Sequence, residues 1–141
     1  MRAWRSRGLM LAAAAVLGLG VAAVAPEADA DGTPKPLAGA DIAAKFRGNT
    51  ASGKTAKGER WAEYYLTDGE IHGLWQGKDH YSGTWSVVGD KFCAKYPKSP
   101  DSNYCEKVGL DGTVLTYFKD DGSVDEGGSP YTLEPGNPNN L

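Results

Sequence analysis

Short turns break this chain at close intervals, and that spacing leaves room for little except hairpins. Asp-Gly pairs stand at 68–69, 111–112 and 121–122, with Gly77-Lys78-Asp79 and Gly89-Asp90 between them. Asp-Gly between apolar runs is a strong hairpin signal, because both central positions of a tight turn require the backbone freedom these residues have. The pieces between turns are too short for stable helices and carry the two-residue period of strands. In Tyr81-Ser82-Gly83-Thr84-Trp85-Ser86-Val87 one face is apolar and the other hydroxylated. Trp61-Ala62-Glu63-Tyr64-Tyr65-Leu66, Ile71-His72-Gly73-Leu74-Trp75-Gln76, Phe92-Cys93-Ala94-Lys95-Tyr96, Tyr104-Cys105-Glu106-Lys107-Val108 and Val114-Leu115-Thr116-Tyr117-Phe118 complete at least six strands. Strands in succession with short turns form an antiparallel meander.

Upstream, Ala38 to Gly48 places Ile42 and Phe46 four residues apart with alanines beside them, which predicts a two-turn helix with one apolar face and Gly48 at its stop. One short helix cannot cover the sheet, so the meander of about six to eight strands is expected to curl into a partly closed small barrel and hide its tryptophans. The fold class is therefore mainly β. Ala51 to Gly58 reads either as a mobile loop or as a poor edge strand. Residues 31–37, with Gly32, Pro34 and Pro36, read as a flexible leader, 38–133 as one β-rich domain, and 134–141 as a frayed tail.

The chain's first seven residues hold Arg2, Arg5 and Arg7, and an uncharged apolar run follows from Gly8 to Ala25. That is the pattern of a secretory signal peptide, with Ala28-Asp29-Ala30 supplying a cleavage site after Ala30. Ala23-Val24-Ala25 is a poorer site because Pro26 follows. The apolar run could just reach across a bilayer as an anchor; its Ala and Gly content, the lack of a stop-transfer cluster and the cleavage triplet favour removal. The expected product is periplasmic or secreted, with no stable membrane span after cleavage.

Removing residues 1–30 also removes Arg2, Arg5, Arg7, Glu27 and Asp29, leaving 111 residues with twelve basic and sixteen acidic side chains. That length supports one domain with a thin core. No basic stripe exists to neutralise phosphates, so nucleic acid is not an expected partner. Cys93 and Cys105 are the chain's two cysteines, and in an oxidising compartment they are expected to form a disulfide. Their midpoint is Ser99, inside Pro97-Lys98-Ser99-Pro100-Asp101, so a hairpin turning there sets the cysteines opposite each other.

The short helix, Gly48-Asn49-Thr50, the Trp-Ala-Glu-Tyr-Tyr strand, Asp68-Gly69, the Gly-x-Trp strand through Val87 and Phe92-Cys93 together resemble a family of small exported proteobacterial proteins of unknown function. The resemblance runs from about Leu37 to Phe118. It implies a small β-rich exported domain and brings no catalytic residues with it.

Chemistry-bearing motifs are sparse. His72, Asp79 and His80 are the residues that invite a metal or acid–base reading, but their spacing fits no ligand motif. No Gly-x-Ser-x-Gly elbow occurs. Gly53-Lys54-Thr55 lacks the earlier glycine of a phosphate loop. Gly48, Asn49 and Thr50 form a candidate structural motif, read as a local turn or a bridge cap. No catalytic, metal or cofactor-binding residue is assigned and no cofactor is expected. Thirteen Phe, Trp and Tyr residues follow the cleavage site; they suit either core filling or a ligand site in a barrel mouth. The expected function is a non-catalytic exported domain that binds an envelope protein, a cell-wall component or a small ligand, an inhibitor of an envelope-acting enzyme being one form of it. A small periplasmic hydrolase using carboxylate or His chemistry is the alternative, and a structural envelope component a third.

Overall fold

In the computed structural model of the chain, the described residues are 32–125, 127 and 131–141. The expected signal peptide and the cleavage site after Ala30 lie outside them. Helix α1 (Gly39–Phe46) is followed by eight strands: β1 (Asn49–Lys54), β2 (Arg60–Tyr65), β3 (Glu70–Trp75), β4 (Asp79–Val88), β5 (Lys91–Lys95), β6 (Tyr104–Asp111), β7 (Val114–Phe118) and β8 (Tyr131–Pro135). Each strand pairs antiparallel with the next, and β8 returns to pair with β1. The meander is thus a closed barrel, where the sequence suggested partial closure. Closure removes the unpaired edges that an open sheet would expose.

The last seam depends on two segments whose structure was not evident in the sequence. β1 is hydrogen-bonded on both sides, to β2 and β8, and is neither a loop nor an edge. The tail expected to fray from Glu134 instead continues β8 to Pro135, with Asn49 opposite Pro135 and Thr50 opposite Glu134. Asn137 then exchanges two hydrogen bonds with the Leu141 backbone. The leader also lies on the barrel: the Leu37 amide donates to the Val108 carbonyl, and Pro34 is buried.

Helix α1 closes one end. Its start is pressed against the β4–β5 turn, where the Gly39 amide donates to Asp90 Oδ1 at 2.8 Å. A Cβ on residue 39 would fall 2.1 Å from the Gly89 carbonyl oxygen, so glycine is required there. Ile42 and Phe46 point into the barrel and are fully buried. Phe46 stacks on Phe92 with ring centroids 4.4 Å apart and tilts against Tyr65 at 5.1 Å. Full burial of side chains this size stabilises by about 1.5–3 kcal/mol each. With Ile71, Trp85 and Val108 they fill the helix end of the barrel.

Cys93 and Cys105 are directly opposed on β5 and β6, with Cα atoms 4.0 Å apart, and are joined by a disulfide. The connection between these strands, containing a single 3₁₀ turn at Pro100–Ser102, is the hairpin centred on Ser99. Among the described residues no helix is long and apolar enough to cross a membrane.

Candidate functional site

The end opposite α1 is hollow. A partly open cavity of about 710 Å³ occupies it, between the β1–β2, β3–β4 and β5–β6 connections. Eight strands give an interior that side chains can just fill or that can stay partly open; this barrel is filled at one end and hollow at the other.

Period-two alternation aims the wall residues. On β2 the inward positions are Trp61, Glu63 and Tyr65, so a carboxylate is carried into the barrel between two aromatics. Glu63 is only 4% exposed. Three tyrosine hydroxyls donate to it: Tyr65 to Oε2 at 2.9 Å, and Tyr81 and Tyr96 to Oε1 at 2.8 and 2.6 Å. Two strand glycines make this convergence possible. Gly73 on β3 lies between Glu63 and Tyr81 in the register, and a Cβ there would sit 2.2 Å from the Tyr81 ring. Gly83 on β4 does the same for Tyr96, with a 2.8 Å approach. Each glycine leaves a channel through which a tyrosine reaches Glu63 across a neighbouring strand.

Burial raises the Glu63 carboxyl above its ordinary range, against the opposing pull of the Tyr96, Tyr81 and Tyr65 hydrogen bonds. The same burial, with the adjacent Glu63 charge, pushes the Tyr65, Tyr81 and Tyr96 hydroxyls upward and keeps them as donors. Both Glu63 oxygens are therefore engaged by the protein itself, and the cluster acts as a polar floor to the cavity.

Above this floor Tyr104 and Tyr131 pack edge-on around Tyr117, at 5.9 and 5.5 Å between ring centroids. Tyr117 is 6% exposed, and its hydroxyl has no hydrogen-bond partner among the described residues; Tyr104 and Tyr65 are near it but outside hydrogen-bonding geometry. A buried hydroxyl left unpaired costs about 1–3 kcal/mol, and Tyr117 is one of the residues that line the cavity. Glu106, Asp125 and Lys98 bring charge to the wall.

The residues singled out from sequence scatter around this site. Asp79 and His80 lie at its rim. His72 pairs with Ser82 in the register, and its Nε2 stands 3.5 Å from Glu70 Oε2 at an exposed position away from the cavity. The three do not converge, and among the described residues no group of three His, Cys, Asp or Glu side chains could hold a metal ion. Thr55 organises the β1–β2 connection, its Oγ1 accepting the Lys57 and Glu59 amides. Gly48, Asn49 and Thr50 serve barrel closure. Gly48 follows the helix with φ 70°, and its amide donates to the Tyr65 carbonyl. Asn49 Nδ2 donates to the Lys45 carbonyl while its Oδ1 accepts the Gly136 amide. Thr50 Oγ1 donates to the Gly136 carbonyl at 2.7 Å. The local turn reading accounts for the bond to Lys45; the bonds to Gly136 join residues more than eighty positions apart.

Glu63, Tyr81, Tyr96 and Tyr117 were not singled out as site residues. A signal for Glu63 is present: it has the inward phase of its strand, flanked by Trp61 and Tyr65, where an apolar residue is the rule. Glu106, between Tyr104 and Val108, has the same signature. No family model, curated protein or solved structure matches this chain.

Proposed function

We propose that this protein is a non-catalytic, exported binding protein whose ligand is a small molecule held inside the open end of the barrel. The observation that carries the reading is the cavity of about 710 Å³, walled by tryptophan and tyrosine side chains with a few polar groups among them. Ligand pockets fall between about 300 and 1,000 Å³ and combine apolar walls with a few placed polar groups. The packed, helix-closed end makes the barrel rigid, which spares a ligand the cost of ordering its site. Glu63 is less suited to acid–base work, since its oxygens are taken up by three donors. Export rests on the basic head, apolar run and cleavage triplet before Asp31, and on a disulfide suited to an oxidising compartment.

The test is titration of the purified protein with the neutral dye Nile red, alongside a melting-shift screen of small molecules. Dye emission should rise with quenching of tryptophan, and Tyr131→Ala, which alters the wall without touching the Glu63 cluster, should change the affinity. If the dye does not bind and no compound shifts the melting temperature, the reading is wrong.

A further inference from the structure

The ligand's chemical class can be taken further, on the basis of the binding reading above. Two kinds of group dominate the cavity wall. Trp61, Trp75, Tyr81, Tyr96, Tyr104 and Tyr131 present aromatic surface, whose ring faces are electron-rich. Among the described residues the wall's carboxylates come from Glu63, Asp79, Glu106 and Asp125, against one amine, that of Lys98, and the rim imidazole of His80. The carboxylates are not equivalent. Glu63 is saturated by tyrosines, whereas Glu106 is half-buried and its carboxylate has no hydrogen bond or ion pair among the described residues. Burial and the charges of Asp125 and Asp120 raise its carboxyl, only partly offset by Lys119 and Lys91. Asp125 accepts a bond from the Gly127 amide and stays close enough to oppose ionisation of Glu106.

Two like charges brought together beside an apolar wall are unfavourable when the site is empty, and a cation between them relieves that. An anion would add to the repulsion. A neutral apolar molecule would strip water from Glu106 and return nothing. Independently, Tyr117 lines the same wall, and its buried hydroxyl has no hydrogen-bond partner among the described residues. Aromatic rings beside carboxylates are the means by which proteins hold ammonium groups.

We propose that the cavity binds a small organic cation, an amine or quaternary ammonium on an apolar body, with its charged head beside Glu106 and Asp125 and its body against the aromatic wall. The probes are benzyltrimethylammonium, its uncharged isostere neopentylbenzene, and the anion benzylsulfonate. Each is titrated into wild type, Glu106→Gln and Asp125→Asn by calorimetry and tryptophan fluorescence, with melting temperature as the check on folding. The cation should bind about tenfold or more tighter than the isostere. Either substitution should remove most of that preference, while leaving neopentylbenzene within about twofold. Equal or tighter binding of neopentylbenzene or benzylsulfonate would overturn the cation assignment and leave the ligand-binding reading standing. A cation preference unaffected in both variants would overturn the role of these carboxylates and with it the proposal. Absence of binding by all three probes would overturn the cation assignment, and the Nile red titration then decides separately whether the ligand-binding reading stands.

Discussion

Tyr117→Phe deletes one oxygen from the cavity wall and little else. Because that hydroxyl is buried with no hydrogen-bond partner among the described residues, its removal should leave the protein equally stable or more stable by about 1 kcal/mol. Thermal unfolding without ligand checks this; a clear loss of stability would show that the hydroxyl is paired. Glu63 behaves in the opposite sense. Its carboxyl is raised above its ordinary value of 4.5, so the folded protein holds the proton to higher pH than the unfolded chain does. Stability from this group is full below that ordinary value and is lost as pH rises through the folded one. Glu63→Gln removes the dependence. The stability of wild type relative to Glu63→Gln should therefore increase as pH is lowered from neutrality toward about 4, measured by denaturant unfolding at each pH. A difference that is flat or falls on acidification would contradict the raised value. At this scale the phase of the strands was readable: Tyr81, Gly83, Trp85 and Val87 share the inward face expected of them. The convergence on Glu63 was not, since it joins residues on β2, β4 and the end of β5 that are up to 33 positions apart.

At the scale of elements, the β5–β6 hairpin and helix α1 were both predictable from neighbours in the sequence. The turn centred on Ser99 places Cys93 against Cys105 through register alone. Closing a loop of this size should stabilise by about 2–3 kcal/mol through restriction of the unfolded chain. Cys93→Ala with Cys105→Ala, or reduction of wild type, should lower the melting temperature accordingly, and equal melting with and without reductant would refute it. Helix α1 was legible because Ile42 and Phe46 repeat at four. What they pack against was hidden, as Phe92 and the Gly89-Asp90 turn lie more than forty residues away. Phe46→Ala would open a void against Phe92 and Tyr65 and should cost about 3–5 kcal/mol, read from the shift in urea midpoint.

The whole molecule turns on the meeting of its first and last strands. Without residues 134–141, β1 would lose its register partners Pro135 and Glu134, and Asn49 and Thr50 would lose their bonds to Gly136. That deletion should reduce stability by roughly 2–4 kcal/mol, at about 1 kcal/mol for each net hydrogen bond lost. It should also expose strand edges that promote self-association, so a truncated protein that melts and elutes like wild type would show that the seam does not need the tail. The polar composition of β1 and the Pro-Gly-Asn content of the tail explain why neither read as structure. Strand propensity is set by packing and pairing more than by the residue itself.

Turns, strand phase, the helix and the disulfide pairing followed from the sequence by itself, because each depends on residues a few positions apart whose backbone preferences and periodicity are local. Closure of the barrel, the division into a packed end and a hollow end, and the gathering of three tyrosines on Glu63 were decided only by the tertiary structure. They depend on which distant strands become neighbours and on where Gly73 and Gly83 leave room, and nothing in a local window records that proximity.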